Sequence, residues 1–231
     1  MAYTSIDDPS AYFQVKTYSG NGTDNTAITN DGNSNLQPDW WWVKRRTGGA
    51  ASHGIFDSTR GVTKRLNTNL TNAEDTVTDR IKSFDTNGFT LGTNEQANAS
   101  GSTYVAWQWK ANGGTTSSNT DGSITSTVQA NTTAGFSIVT YSGNSTSGAT
   151  IGHGLGVAPN WIIVKSYDLG GSWMVGSTAL DSTLANRCVL NLSNAASSNT
   201  GDFNAAPTSS VFQVGNSLDI NGGKEYIAYC F

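Results

Sequence analysis

The chain has 231 residues, enough for one large domain or two of ordinary size; only 36% are apolar and 13% charged, and Gly, Ser, Thr and Asn fill the difference. That mixture disfavours helices, because Ser, Thr and Asn compete for backbone hydrogen bonds, and it suits short strands joined by many turns. A net charge of −4 argues against nucleic acid as a partner, and no stretch approaches the roughly 18 apolar residues of a membrane span.

The first segment, 1–12, has neither the basic region nor the apolar run of a signal peptide. It is too short and polar to fold alone, yet it carries Tyr3, Ile6, Pro9 and Tyr12, which makes it the expected docking arm. Phe13 to Tyr18 alternates Phe, Val and Thr against Gln, Lys and Tyr, the period of a half-buried strand. After the turn signal Asp31-Gly32-Asn33, Trp40 to Lys44 is apolar on both faces and reads as a central strand. Leu70 to Arg80 is the one helical stretch, with Thr71 and Glu74 spaced as a capping box; a short helix and a loop both fit. Tyr104 to Trp109 is a further core strand, and the polar run Ala111 to Gly122 reads as a linker. Ile124 and Val128 would add a short strand before the next segment.

From there the chain repeats itself. FQVKTYSGN at 13–21 returns as FSIVTYSGN at 136–144, and PDWWWVK at 38–44 as PNWIIVK at 159–165. LTNA at 70–73 returns as LSNA at 192–195, FTLG at 89–92 as FQVG at 212–215, and YVAWQW at 104–109 as YIAYCF at 226–231. Five blocks recur in one order, each displaced by 121 to 123 positions. The expected architecture is therefore all-β, with two tandem antiparallel β-sandwich, jelly-roll-like domains: an arm at 1–12, repeats at 13–111 and 135–231, and a linker at 112–134.

Candidate chemistry is sparse. In the Trp40-Trp41-Trp42 run, strand alternation puts Trp40 and Trp42 on one side and Trp41 on the other. An exposed sugar platform is one reading. The second copy keeps Trp161 but has Ile162 and Ile163 at the next two positions, which preserves core volume and favours packing. His53, Asp57 and Ser58 hold the residue types of a hydrolase triad, but they lie along one short segment, whereas triads converge from separate elements. His153 sits in a turn-rich segment, and neither His has the partners of a zinc site. Glu74, Asp75 and Asp79 have Ala196 and Ser197 after the equivalent block and read as acids on a solvated turn rather than a glycosidase pair. Lys44-Arg45-Arg46, with Arg60, Lys64 and Arg65 nearby, suits either acidic sugars or a solvated strand end. Trp42, Arg45, Arg46 and His53 are the candidate surface-binding residues, and no catalytic, cofactor or metal residue is expected. Cys188 and Cys230 lack metal-ligand spacing and read as isolated thiols.

Several of these segments resemble a known family. DSTRGVTKRL at 57–66, SFDTNGFTLG at 83–92 and YVAWQWKA at 104–111, with IGHGLGVAP at 151–159 and YIAYCF at 226–231, are similar to a domain of unknown function common in virion proteins of marine tailed bacteriophages. The resemblance covers nearly the whole chain and is read as two copies. It implies a structural virion protein, a tail fibre or related appendage on the particle that contributes to host attachment. The partners it implies are other virion proteins, further copies of the chain (a trimer) and host surface glycans, with no nucleic acid and no membrane. It brings no catalytic residue and no cofactor. A capsid decoration or adaptor protein is the alternative, and a carbohydrate-binding module a more distant one.

Overall fold

The computed structural model describes residues 6–231, which divide into two compact units. The first takes the chain to Thr68 together with Glu74–Gly114; the second takes Asn69–Ala73 with Thr115–Phe231.

The first unit contains β1 (Phe13–Ser19), β2 (Thr26–Thr29), β3 (Trp40–Arg45), β4 (Gly54–Asp57), β5 (Gly61–Asn67), β6 (Asp75–Thr76), β7 (Ile81–Asp85), β8 (Gly88–Leu91) and β9 (Thr103–Trp109). Six of these form an antiparallel sheet in the order β1-β9-β3-β4-β5-β6, and β2-β8-β7 form a smaller one. The core lies between the two sheets, with Tyr18, Trp41, Val43, Phe56, Tyr104 and Ala106 from the larger meeting Ile81, Phe89 and Leu91 from the smaller. This is a sandwich-like arrangement, in which each sheet buries one face against the other.

The second unit contains β10 (Ser117–Asn119), β11 (Ser126–Asn131), β12 (Phe136–Ser142), β13 (Ala149–Gly152), β14 (Trp161–Ser166), β15 (Met174–Ser177), β16 (Asn186–Val189), β17 (Ser197–Ser198), β18 (Val211–Val214) and β19 (Glu225–Cys230). Its large sheet runs β10-β11-β12-β19-β14-β15-β16-β17 and its small one pairs β13 with β18. Val139, Tyr141, Ile162, Val164, Tyr226 and Ala228 meet Ile151, Phe212 and Val214 across its core. The stretch 112–134, read as a linker, thus carries β10 and β11, and Ile124 and Val128 are core residues.

Each Tyr-Ser-Gly-Asn block closes its unit in the same way. Tyr18 stacks on Tyr104 at 5.2 Å and donates to the Ala97 carbonyl; Tyr141 stacks on Tyr226 at 5.3 Å and donates to the Ile220 carbonyl. Buried Asn98 accepts from the Asn21 N–H and donates to the Thr23 and Gly92 carbonyls. Asn221 repeats this set with Asn144, Thr146 and Gly215. The intervening Gly20 and Gly143 are needed for close approach, since a Cβ would lie 2.4 Å from the Ala99 carbonyl oxygen and 2.7 Å from the Tyr226 ring respectively.

Residues 70–80 form no helix. Glu74 is drawn to Arg60 (2.9 Å) and Lys64 (3.4 Å), and β6 pairs with β5, so ion pairs and a ladder override the capping signal. The α-helix α1 lies instead at Glu95–Asn98, where the Asn94 side chain accepts the Gln96 N–H.

Ahead of β1, Pro9–Ala11 form a 3-10 turn capped by Asp8. The Asp8 carboxylate accepts from the Ser10 N–H and hydroxyl and from the Ser34 hydroxyl, and these bonds hold its pKa below the usual carboxylate value. Gln14 donates to the Ser10 and Ser34 carbonyls. This part of the arm is therefore folded onto its own unit, with Ile6 and Tyr12 half-buried and Pro9 exposed; Tyr3 lies outside the described residues.

Candidate functional site

The four candidate surface residues do not form one site. Trp42 lies on the outer face of β3, between Trp40 (ring centroids 5.8 Å) and Trp107 (5.6 Å), and is half-buried. Trp40 and Trp41 are fully buried, Trp41 against Phe56 and Phe89, so these two are packing. His53 is half-buried, and desolvation together with the nearby Lys44 ammonium lowers its pKa, which keeps the ring neutral at pH 7. Lys44 itself donates to the Ala51 carbonyl at 2.7 Å.

Arg45 is committed to structure. Its guanidinium donates to the Ser102 hydroxyl (2.6 and 3.1 Å) and to the Thr47 carbonyl, which ties the β3 end to the approach to β9. Arg46 is exposed and borders an open depression of about 190 Å³ lined by Thr17, Tyr18, Ser19 and Thr103. A guanidinium beside hydroxyls can take an anionic or polyhydroxy group, and of the four residues Arg46 is the one placed for it. The other basic residues considered with it are engaged: Arg60 with Asp57 and Glu74, Lys64 with Glu74, and Arg65 with Asp75.

The residues of a conceivable triad are separated by their partners. Asp57 is fully buried and gripped by Arg60 at 2.6 and 2.7 Å. Ser58 donates to Asp39 at 2.6 Å. His153 is buried, with Nδ1 accepting the Leu155 N–H and Nε2 at 3.2 Å from the Thr208 carbonyl, a set that fits a neutral ring; burial lowers its pKa. Cys188 and Cys230 are free thiols, and burial pushes Cys230 up to about 12. Among the described residues, no cluster of three His, Cys, Asp or Glu side chains could hold a metal ion, and no helix is long and apolar enough to cross a membrane.

Three residues carry more of the structure than their sequence context announces. Asp39, Trp161 and Lys165 all belong to the repeated Pro-x-Trp block or its end, but only direct comparison of the two copies would have singled them out. Lys165 is fully buried in the second unit, its ammonium donating to the carbonyls of Gly171 (3.0 Å), Leu169 (3.3 Å) and Thr71 (3.3 Å). Gly171 N–H bonds to the same Thr71 carbonyl at 2.7 Å. Desolvation lowers the Lys165 pKa from 10.5 to about 8, partly countered by Asp219 and Asp168. The folded chain therefore releases this proton near pH 8, while the unfolded chain keeps it until about 10.5, so folding is favoured as pH rises between those values. The expected gain is about 3 kcal/mol across that interval, roughly 1.4 kcal/mol per pH unit. Cys230, raised from 9.0 to about 12, acts in the opposite direction above pH 9, so the Lys165 contribution is read as the difference in slope between wild type and Lys165→Met in urea unfolding from pH 7.5 to 10.5. Equal slopes in both proteins would refute the assignment.

The comparison with protein families gives a match to a domain of unknown function, DUF7483, over residues 8–231. The chain belongs to that family. The matched DUF7483 region takes in residues of both units. No curated protein and no solved structure matches the chain.

Proposed function

We propose that this DUF7483 protein is a structural virion protein of a tailed bacteriophage, a tail-fibre or appendage subunit that helps the particle attach to a host surface. The reading rests on the sequence resemblance set out above. The observation that carries it in the structure is where the reactive side chains go. Asp57, Ser58, His153 and the acids near β6 are each tied to a structural partner, while only 13% of the residues are charged. That distribution suits a protein that is built into something and touches other surfaces.

The two units are proposed to be copies of one jelly-roll-like domain. In support, β12-β19-β14-β15-β16-β17 follows the order of β1-β9-β3-β4-β5-β6, and the Tyr–Tyr stacks and Asn98/Asn221 bonding sets match atom for atom. The chain is further proposed to act as a homotrimer exposed on the particle, since several copies raise the avidity of weak contacts. Its arm would dock on another virion protein, with Ile6, Pro9 and Tyr12 as the contacting residues; a capsid decoration or adaptor protein is the second reading. Antibody labelling of intact particles, viewed by electron microscopy, tests both. Label at the tail supports the appendage, label over the capsid supports the decoration protein, and unlabelled particles refute both readings.

A further inference from the structure

One end of the second unit's large sheet carries a row of aromatic rings. Phe136 lies opposite Asn131, and its ring is 4.9 Å from Phe231. Phe231 exchanges two backbone hydrogen bonds with Trp161 (2.8 and 3.0 Å), and the two rings lie 5.1 Å apart at 30°. Trp161 in turn pairs with Ser177. Exposure rises along the row: Phe136 is 1% exposed, Phe231 is half-buried and Trp161 is 36% exposed. The buried ring thus backs the open one.

No side chain at the rim is charged; polar groups stand there beside the exposed apolar side chains of Val157 and Leu180. Asn160, exposed and next to Trp161, accepts from the Thr178 hydroxyl at 2.8 Å, and its amide nitrogen has no protein partner among the described residues. The segments that form this corner, 131–137, 156–163, 176–180 and 229–231, contain no Lys, Arg, Asp or Glu.

The first unit supplies an internal control. Its corresponding row is Phe13, Trp109, Trp40 and Asp57, with rings 4.4 and 4.6 Å apart. There the tryptophan is fully buried, and next to it Asp39 accepts the N–H groups of Ala111, Gly113 and Gly114. The same ladder position therefore holds a sealed indole in one unit and a presented one in the other. Trp40 is buried, whereas more than a third of Trp161 stays open to solvent.

A flat indole edged by amide and hydroxyl groups matches a ligand with one apolar face and a ring of neutral hydroxyls. Nucleic acid would stack on the indole as well, but its phosphates would find no cation in these segments. An apolar partner would leave the Asn160 amide unpaired on burial, which carries a cost. We infer that Trp161, backed by Phe231 and Phe136, is a stacking platform for a neutral pyranose ring of a glycan, with Asn160 and Thr178 as its hydrogen-bonding rim. This rests on the attachment reading above and names the ligand class for it.

The test uses the full chain in calorimetric titrations with neutral tetrasaccharides of glucose, galactose, mannose and N-acetylglucosamine. At least one should bind with Kd below about 1 mM. Trp161→Ala should weaken it about tenfold or more, Trp161→Phe less, and Asn160→Ala or Thr178→Ala about threefold. The last two variants keep Trp161 and each remove one polar group of an exposed hydrogen bond, so they report on the site even if Trp161→Ala disturbs folding. Absence of binding by the wild type at millimolar sugar overturns the inference, as does unchanged affinity in both Trp161→Ala and Asn160→Ala. A change of mass in light scattering for Trp161→Ala, with sugar affinity unchanged, would assign the face to a second copy of the chain and overturn it too. Particle labelling is decided separately, so failure here does not imply failure of the virion assignment.

Discussion

Replacing Trp41 with alanine should cost the first unit about 3–5 kcal/mol, the usual range for emptying a tryptophan's place in a closed core. Trp41 is fully buried, 5.7 Å from Phe56 on its own sheet and 5.1 Å, edge-on, from Phe89 on the facing one, so it bridges both layers. Ile162 holds the corresponding place in the second unit and pairs with Gly176, as Trp41 pairs with Phe56. There the volume is made up by Phe203 and Leu184, which lie 3.1 and 3.2 Å from where a Gly176 Cβ would stand. Trp41→Ile without those compensating residues should therefore still leave a cavity, at a cost below that of alanine. Hydrogen exchange of the β3 and β9 amides under increasing urea measures both variants. A loss of less than about 1 kcal/mol for Trp41→Ala would show that the core closes around the gap.

The repeated blocks located the strands well because a repeat reports on shared tertiary packing, which local propensity does not. The faces were harder to read. Alternation in Phe13 to Tyr18 suggests the apolar set turned inward, yet Phe13 and Val15 are exposed while Gln14 and Tyr18 are buried. The reason is hydrogen bonding at long range: Gln14 is satisfied by the Ser10 and Ser34 carbonyls and the Gly32 N–H, and Tyr18 by Ala97. None of these partners is visible from the strand itself. The capping pattern at 71–74 failed for a similar reason, because Arg60 and Lys64 claim Glu74. Among the tryptophans, Trp41 lies in the core as the comparison of the two copies suggests, while Trp42 stays half-buried on the outer face, and Arg46 is exposed. The partners of Asp57 and Ser58, Arg60 and Asp39, are not visible from the spacing of the segment. Trp161 is exposed where the rest of its strand is buried, because it lies at the strand's first position.

Asp39 makes the case most sharply, because a carboxylate just ahead of three tryptophans looks like a solvated strand entry and is fully buried. It accepts the Ser58 hydroxyl at 2.6 Å and the N–H groups of Ala111, Gly113 and Gly114 at 2.7, 2.9 and 3.0 Å. Asn160 and Thr178 repeat the Asp39–Ser58 bond in the second unit, but in the open. The difference lies in the acceptor count: a carboxylate offers two oxygens and no donor, so it can hold three converging backbone N–H groups, whereas an amide would turn its NH2 toward some of them. Asp39→Ala should then cost about 3 kcal/mol or more, since four donors lose a charged acceptor at once. Asp39→Asn keeps one oxygen for Ser58 or for the amides and should cost about half as much. The Ala111 and Gly113 amides should lose exchange protection before those of β3 and β9 in both variants, because their bonds to Asp39 are what fix the chain after β9. If Asp39→Ala unfolds at the wild-type urea midpoint with those amides still protected, the carboxylate is not what holds this corner closed.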